Sequence, residues 1–282
     1  MSSSSAALSA ADQRALEAAQ QSEIEREVAA QPVLGDEEPP AVLLPFYADN
    51  AAFLPKLRAL CAQYRALRRS RGDGNCFYRS LLVSLAERLV HAGVTRGGGG
   101  GGGAWQVLYD RLARASPAGC ARLVSAHGYP EVTLSGFSEA FSEWLESLAA
   151  PGATAASLVD YFRDAGTSWW SIYWLRMLTS LELQEKPDEY LPFILGTTEF
   201  VDIKAFAGAE VEKSAVDADQ VQIIACCRAL GVRVRIAYLD ASAGDMQILT
   251  LPSDDGDEPV VAELLYRPGH FDILYPNAAP PA

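Results

Sequence analysis

Two short segments hold the residue types that could do chemistry together. The first is Arg71-Gly72-Asp73-Gly74-Asn75-Cys76-Phe77-Tyr78 and the second is Pro268-Gly269-His270-Phe271-Asp272-Ile273-Leu274-Tyr275. In the first, a cysteine stands where a glycine-rich loop gives way to the apolar helical pattern of Phe77 to His91. A helix N-terminus offers unpaired N–H groups and partial positive charge, which favour a thiolate. Gly72 and Gly74 let the loop turn tightly enough to aim backbone amides at a developing oxyanion.

The second segment reads as a β-strand, where residues two apart share a face. His270 and Asp272 therefore stand side by side, while Phe271 and Ile273 face the opposite layer. A carboxylate there holds one imidazole nitrogen and leaves the other to take a proton from a thiol, the logic of nucleophile, base and orienter. The other histidines serve this role less well. His91 falls at the C-terminal end of the helix that Cys76 opens, about four turns away, and His127 reads as a turn residue in Ser-Ala-His-Gly-Tyr-Pro. Cys226 and Cys227 fall on a predicted helix and read as core thiols. Arg65, Arg68, Arg69 and Arg71 have two readings: positive charge that favours a thiolate or an acidic substrate, or a solvated helix face.

Several elements must bring these segments together. Helices are expected over Leu54–Arg69, Phe77–His91, Trp105–Ala115, Phe137–Ala149 and Trp169–Leu183, the last with Trp170, Trp174, Met177, Leu178 and Leu181 as a core stripe. Asp219 with Gln222 forms a capping-box signal and Gly231 a stop, so Ile223, Cys226, Cys227 and Leu230 share one face. From Val232 the period changes to two, and strands follow over 232–238, Met246–Leu251, Val260–Tyr266 and His270–Tyr275. Helices first and a strand meander last predict an α+β domain with helices packed around a mainly antiparallel sheet.

Ahead of that domain, residues 1–40 read as a flexible acidic arm, part of which (residues 11–30) has helix-forming composition, with Pro32 to Pro40 as a linker. Gly97–Gly103 is an unbroken glycine run and reads as a flexible surface loop. It is no phosphate cradle, because it ends in Ala104-Trp105 rather than Gly-Lys-Ser/Thr. Residues 41–276 form the predicted catalytic domain and 277–282 a tail.

The net charge of −13 argues against a nucleic-acid partner, since phosphate binding needs clustered Lys and Arg, and it suits a basic partner instead. Much of that charge sits early: residues 1–50 hold Arg14 and Arg26 against nine carboxylates. The five cysteines have no CxxC pair, so neither a zinc site nor a disulfide framework is expected. The start of the sequence lacks a secretory pattern, and its longest uncharged apolar stretch, Ala165 to Leu175, is too short for a membrane span. A free thiol then implies the reducing cytosol or nucleus.

Both segments resemble the otubains, a branch of the ovarian-tumour-domain (OTU) cysteine proteases. The nucleophile motif Asp-Gly-Asn-Cys-Phe-Tyr-Arg stands intact as Asp73–Arg79, and the base motif Gly-His-aromatic-Asp-Ile-Leu-Tyr as Gly269–Tyr275. The similarity runs on through Trp174–Ser180 and Asp219–Asp240, over roughly residues 45–276. The glycine run is an insertion relative to the family. The resemblance implies a papain-like arrangement and a deubiquitinating isopeptidase. In it Cys76 is the nucleophile, His270 the general base, Asp272 its orienter, and the backbone amides of Asp73 and Cys76 bind the oxyanion; no metal or organic cofactor is needed. It also implies ubiquitin and polyubiquitin chains as partners, with ubiquitin-conjugating enzymes as further partners that some otubains block without cleaving anything. The N-terminal arm takes part in both activities in that family. A non-catalytic ubiquitin-binding regulator and a cysteine hydrolase of another substrate remain the alternatives, because the triad alone does not choose a substrate.

Overall fold

The computed structural model describes residue 19, residues 22–23, and residues 26–97, 103–197, 199–253 and 256–277. Most of the predicted arm, most of the glycine run and the tail beyond residue 277 lie outside the described residues. Among the described residues six strands form one sheet in the order β1-β2-β6-β5-β3-β4. They are β1 (Leu34–Glu38), β2 (Tyr64–Ser70), β3 (Arg233–Tyr238), β4 (Gln247–Leu251), β5 (Val260–Arg267) and β6 (His270–Pro276). All neighbours pair antiparallel except β3 with β5, which are parallel.

That one parallel pair corrects the expected meander. After the β3–β4 hairpin the chain crosses to the other side of β3 before β5 begins, which leaves β4 as the edge strand. Gly269, in the left-handed region at φ 71°, then makes the tight β5–β6 turn that starts the next strand at His270.

Each face of the sheet is covered. On one side Phe271, Ile273, Leu264, Val234 and Ile236 join a large core with helix α2 (Cys76–His91) and the helices beyond it. Those helices are α3 (Ala104–His127), α4 (Glu131–Leu148), α5 (Ala155–Arg163), α6 (Ala165–Glu185), α7 (Pro187–Thr197), α8 (Ile203–Phe206) and α9 (Gln220–Leu230). On the other side Leu67, Ala237, Leu265 and Leu274 pack against α1 (Phe53–Gln63) and a 3-10 stretch at Pro40–Tyr47. The period-two strand reading holds in this detail: Phe271 and Ile273 enter one core, and Leu274 the other.

α9 forms where its caps predict. The Asp219 side chain and Gln222 close a reciprocal capping box, and Gly231 ends the helix in the left-handed conformation. α2 begins at Cys76 as expected. Helix α1, however, stops at Gln63, and Tyr64–Ser70 forms a strand where a continuous helix to Arg69 is expected. Arg65-Ala66-Leu67-Arg68-Arg69 has good helix propensity, but such preferences differ by at most about 0.7 kcal/mol per residue. Burying a side chain such as Leu67 contributes about 1.5–3 kcal/mol, and β2 fills the gap between β1 and β6.

The acidic linker is likewise a strand. Leu34 is buried, and Glu37 and Glu38 lie opposite Arg68 and Leu67 on β2. Ion pairs cross the edge from Glu37 to Arg65 (2.8 Å) and Arg68 (3.3 Å), and from Glu38 to Arg69 (3.5 Å). The basic run is therefore neither a solvated helix face nor free charge for a substrate; a strand of opposite sign largely balances it. The ordered sheet begins at Leu34, ahead of the expected boundary at residue 41.

Candidate active site

The two chemistry-bearing segments meet at one end of the sheet. β2 runs antiparallel to β6, with Arg68 opposite Ile273, so the end of β2 and the start of β6 lie together. The loop Arg71–Asn75 leaves β2 there and delivers Cys76 as the first residue of α2.

His270 Nε2 donates to Asp272 Oδ1 at 2.7 Å. That oxygen also accepts the Ser70 backbone N–H at 3.1 Å, and Oδ2 accepts Arg267 Nη2 at 2.6 Å. Asp272 is completely buried. Burial alone would raise its pKa, but the bonds and charges of His270 and Arg267 outweigh it and hold the carboxyl below its ordinary value. A buried carboxylate with three donors has little freedom, so it fixes the plane of the imidazole.

With Nε2 engaged, Nδ1 faces the nucleophile loop. A Cβ on Gly72 would stand 3.3 Å from it. Cys76, whose side chain is buried in this resting arrangement, lies within the electrostatic reach of the ring. Desolvation lowers the affinity of His270 for a proton, yet its bond to Asp272, the charge of Asp272 and the nearby Cys76 outweigh this and raise its pKa to about 9. The structure thus pairs His270 directly with Asp272 and brings the loop that carries Cys76 to the other edge of the imidazole.

The raised pKa has a consequence for stability with a definite sign. A group that holds its proton more tightly when folded stabilises the fold most below its unfolded pKa of about 6.5, and that contribution disappears as pH rises through the folded value. From about pH 6.5 to about 9, the wild-type chain is expected to lose stability relative to His270→Gln. Denaturant melts of both proteins across this range check it; parallel curves would contradict the assignment.

Asp73 orders the loop through its carboxylate. Oδ2 accepts Arg79 Nη2 at 2.6 Å and Arg71 Nε at 3.0 Å, and Oδ1 accepts the Asn75 N–H at 3.1 Å. Burial raises its pKa, but Arg79 and Arg71 bring it below the ordinary carboxylate value. Its own amide donates to the Arg71 carbonyl at 3.0 Å, so in this structure that N–H is engaged rather than turned toward an oxyanion. The amide of Cys76 differs: as the first residue of α2 it has no carbonyl within its own helix to donate to.

Gly74 cannot be replaced without moving the loop. It sits at φ 74°, and a Cβ there would fall 2.2 Å from the carbonyl carbon of Ala215. Gly74→Ala is expected to lower turnover by about 100-fold or more, since a misplacement of about 1 Å at a reacting group costs that much. A kinetic comparison with wild type checks this; wild-type turnover in a folded variant would show that the loop tolerates the shift.

Two features of the site escape a reading of the sequence. Arg176 is buried in α6 and donates to the nucleophile loop at Gly74 and Asn75. Its signal is one arginine inside the apolar run Trp174-Leu175-Arg176-Met177-Leu178, where the stripe reads as core. A cavity of about 1110 Å³ is lined by Tyr190, Phe193, Phe200 and Phe206 together with Glu189, Glu199, Glu210, Asp217, Asp219 and Arg228, among others. It is offset from Cys76, but Asp217 links the two. Burial raises the Asp217 pKa, and the nearby charge of His270 opposes that rise. Among the described residues, no group of three or more His, Cys, Asp or Glu is arranged to hold a metal ion, and no helix is long and apolar enough to cross a membrane.

The sequence pattern of the family described as Peptidase C65 Otubain matches residues 26–276. The chain belongs to the otubain family. Among similar otubain-type proteins, the Arabidopsis thaliana protein named OVARIAN TUMOR DOMAIN-containing deubiquitinating enzyme 1 is 32% identical, over 90% of this chain and 84% of its own. Ubiquitin thioesterase OTUB1 of Homo sapiens is 33% identical, over 91% of this chain and 88% of its own. A solved structure titled h/ceOTUB1-ubiquitin aldehyde-UBC13~Ub superposes with a TM-score of 0.80 at 31% identity, covering 95% of this chain and 100% of that one. These matches establish the α+β otubain fold along nearly the whole chain.

Proposed function

We propose that this chain is a deubiquitinating cysteine isopeptidase that hydrolyses ubiquitin-lysine isopeptide bonds, in polyubiquitin chains among others. The observation that carries the reading is the His270–Asp272 pair set beside the loop that carries Cys76, in an otubain chain whose relatives are named ubiquitin thioesterases. Cys76 Sγ attacks the carbonyl carbon of ubiquitin's C-terminal glycine, with the thiol proton held on His270. The tetrahedral oxyanion is met by the amide of Cys76 at the positive end of α2. As the C–N bond breaks, His270 returns its proton to the departing lysine amine, which leaves a thioester on Cys76. Water, deprotonated by His270, then attacks the thioester and releases Cys76. Asp272 orients the imidazole throughout. Asp73 contributes through its carboxylate, by ordering the loop; an oxyanion bond from its own amide requires the turn at Arg71–Asp73 to open.

The net charge of −13 supports a basic protein substrate rather than a nucleic acid, and the carboxylates among the apolar side chains of the cavity at Asp217 agree with it. Ubiquitin-conjugating enzymes are further partners in this reading, supported by the similar solved structure, which is of h/ceOTUB1 with ubiquitin aldehyde and UBC13~Ub. The N-terminal arm serves these contacts and ends at the start of β1. Five free thiols support a reducing compartment, cytoplasmic or nuclear. The test is incubation of the purified chain with ubiquitin dimers of each linkage. Appearance of free ubiquitin supports the isopeptidase, whereas intact dimers that nevertheless bind the chain would favour a non-catalytic ubiquitin regulator.

A further inference from the structure

Arg176 occupies an unusual position for a buried cation. Its side chain lies within α6, 1% exposed, with the ring of Tyr78 4.3 Å from the guanidinium carbon. Nε and Nη2 donate to Asn75 Oδ1 at 3.1 and 2.8 Å. Nη2 also reaches the carbonyls of Gly74 and Val216, and Nη1 that of Val211 at 3.0 Å. Every one of these acceptors is neutral. Among the described residues no carboxylate forms an ion pair with it, although a buried, unpaired charge costs several kcal/mol of desolvation. Its bonds go instead to the nucleophile loop and to segment 211–216, with Asp73 as a carboxylate within its electrostatic reach.

The bonds also fix a particular piece of backbone. In a trans peptide the C=O and the following N–H point in opposite directions. The Gly74–Asn75 peptide is gripped at both edges: its carbonyl by Arg176, its N–H by Asp73 Oδ1 at 3.1 Å. The next peptide has its Asn75 carbonyl turned down the helix to accept the Arg79 N–H at 2.9 Å. Its Cys76 N–H therefore points out of the helix start.

We propose that Arg176 is a positioning residue for the oxyanion-binding face, acting by clamping Gly74 and Asn75 so that the Cys76 amide stays aimed at the scissile carbonyl oxygen. Through Val211 and Val216 it ties the same loop to the overlying segment 211–216. The assignment rests on the isopeptidase reading above.

The experiment compares wild type, Arg176→Lys, Asn75→Ala and the double variant on ubiquitin bearing a fluorogenic C-terminal amide. Alongside it, the rate of Cys76 alkylation by iodoacetamide is followed as a function of pH. Alkylation at sulfur forms no oxyanion. Loss of one oxyanion donor costs about 10²–10³ in kcat, so Arg176→Lys is expected to lose about 100-fold in kcat with KM within about threefold. Asn75→Ala should lose about 10-fold, and the double variant should be no worse than Arg176→Lys, because the two act as one unit. Alkylation rate and its pH profile should stay near wild type. If Arg176→Lys does not fold, Asn75→Ala decides, since the bonds described for its side-chain oxygen come from Arg176. A folded Asn75→Ala with wild-type kcat would overturn the proposal. So would a fall in alkylation parallel to the fall in kcat, which would mean that Arg176 serves the thiolate or the fold. Cys76→Ala runs as a separate control: if it still hydrolyses the substrate, the cysteine reading itself fails whatever Arg176 does.

Discussion

Cys76→Ala is expected to reduce kcat/KM on ubiquitin chains by about 10⁴- to 10⁶-fold, because removing the nucleophile of a triad forfeits nearly all the chemistry that its members perform together. Binding should survive. Cys76 contributes one small buried side chain at the start of α2, and its truncation leaves the loop, its arginine clamps and the acidic cavity in place. Affinity for uncleaved chains is therefore expected within about threefold of wild type, as for a residue acting mainly in the transition state. Turnover assays with equilibrium binding on the same preparations check both halves. Residual turnover above about 1% of wild type is far more than a triad lacking its nucleophile supports and would place the nucleophile elsewhere.

Asp272→Ala is expected to have the second largest effect, and it acts twice. The substitution removes the acceptor that holds His270 Nε2 and leaves Ser70 N–H and Arg267 without their shared buried partner. Breaking a buried charge pair by removing one member costs about 3–5 kcal/mol, so the variant should unfold at clearly lower denaturant than wild type. Under conditions where it remains folded, kcat/KM should fall by about 10³- to 10⁴-fold, because an imidazole without its orienter is free to turn away from Cys76. His270 also loses its strongest source of proton affinity, so its titration should fall below about 9. Asp272→Asn separates the two effects. Its side-chain oxygen still accepts from His270 and Ser70, and it should retain far more activity than the alanine variant. Equal activities for the two would show that orientation of the imidazole matters little here.

The candidate triad is legible because its information is local. Cys76 is announced by two glycines and a helix pattern, and His270 and Asp272 by the two-residue period of one strand. A shared face within one element follows from spacing alone. Their meeting was not fixed by local rules; it depends on β2 lying beside β6, and β2 is where local reasoning fails. Arg65 to Arg69 favours helix on propensity, and only the pairing with β1 and β6 makes it a strand. The acidic stretch before residue 40 misleads for the same reason: its carboxylates look solvated until the arginines of β2 stand opposite them.

The supporting groups around the triad are still less visible in sequence. Arg176 looks like one charged interruption in a core helix, and three of its four hydrogen-bond partners, Gly74, Val211 and Val216, offer only backbone carbonyls, which every residue has. Nothing in residue type marks a carbonyl as an arginine's partner. The engaged amide of Asp73 is equally a matter of backbone geometry. The acidic cavity draws its carboxylates from several separate stretches between Glu189 and Asp219, so no short motif contains it.

The central claim is that Cys76 attacks the C-terminal carbonyl of ubiquitin. It is tested most directly by incubating the purified chain and its Cys76→Ala form with ubiquitin carrying a thiol-reactive C-terminal electrophile, and weighing the products by mass spectrometry. The expected result is a covalent adduct of one ubiquitin per chain, mapped to Cys76 and absent from the alanine form. No adduct from the wild-type chain, or one that persists without Cys76, would contradict the account.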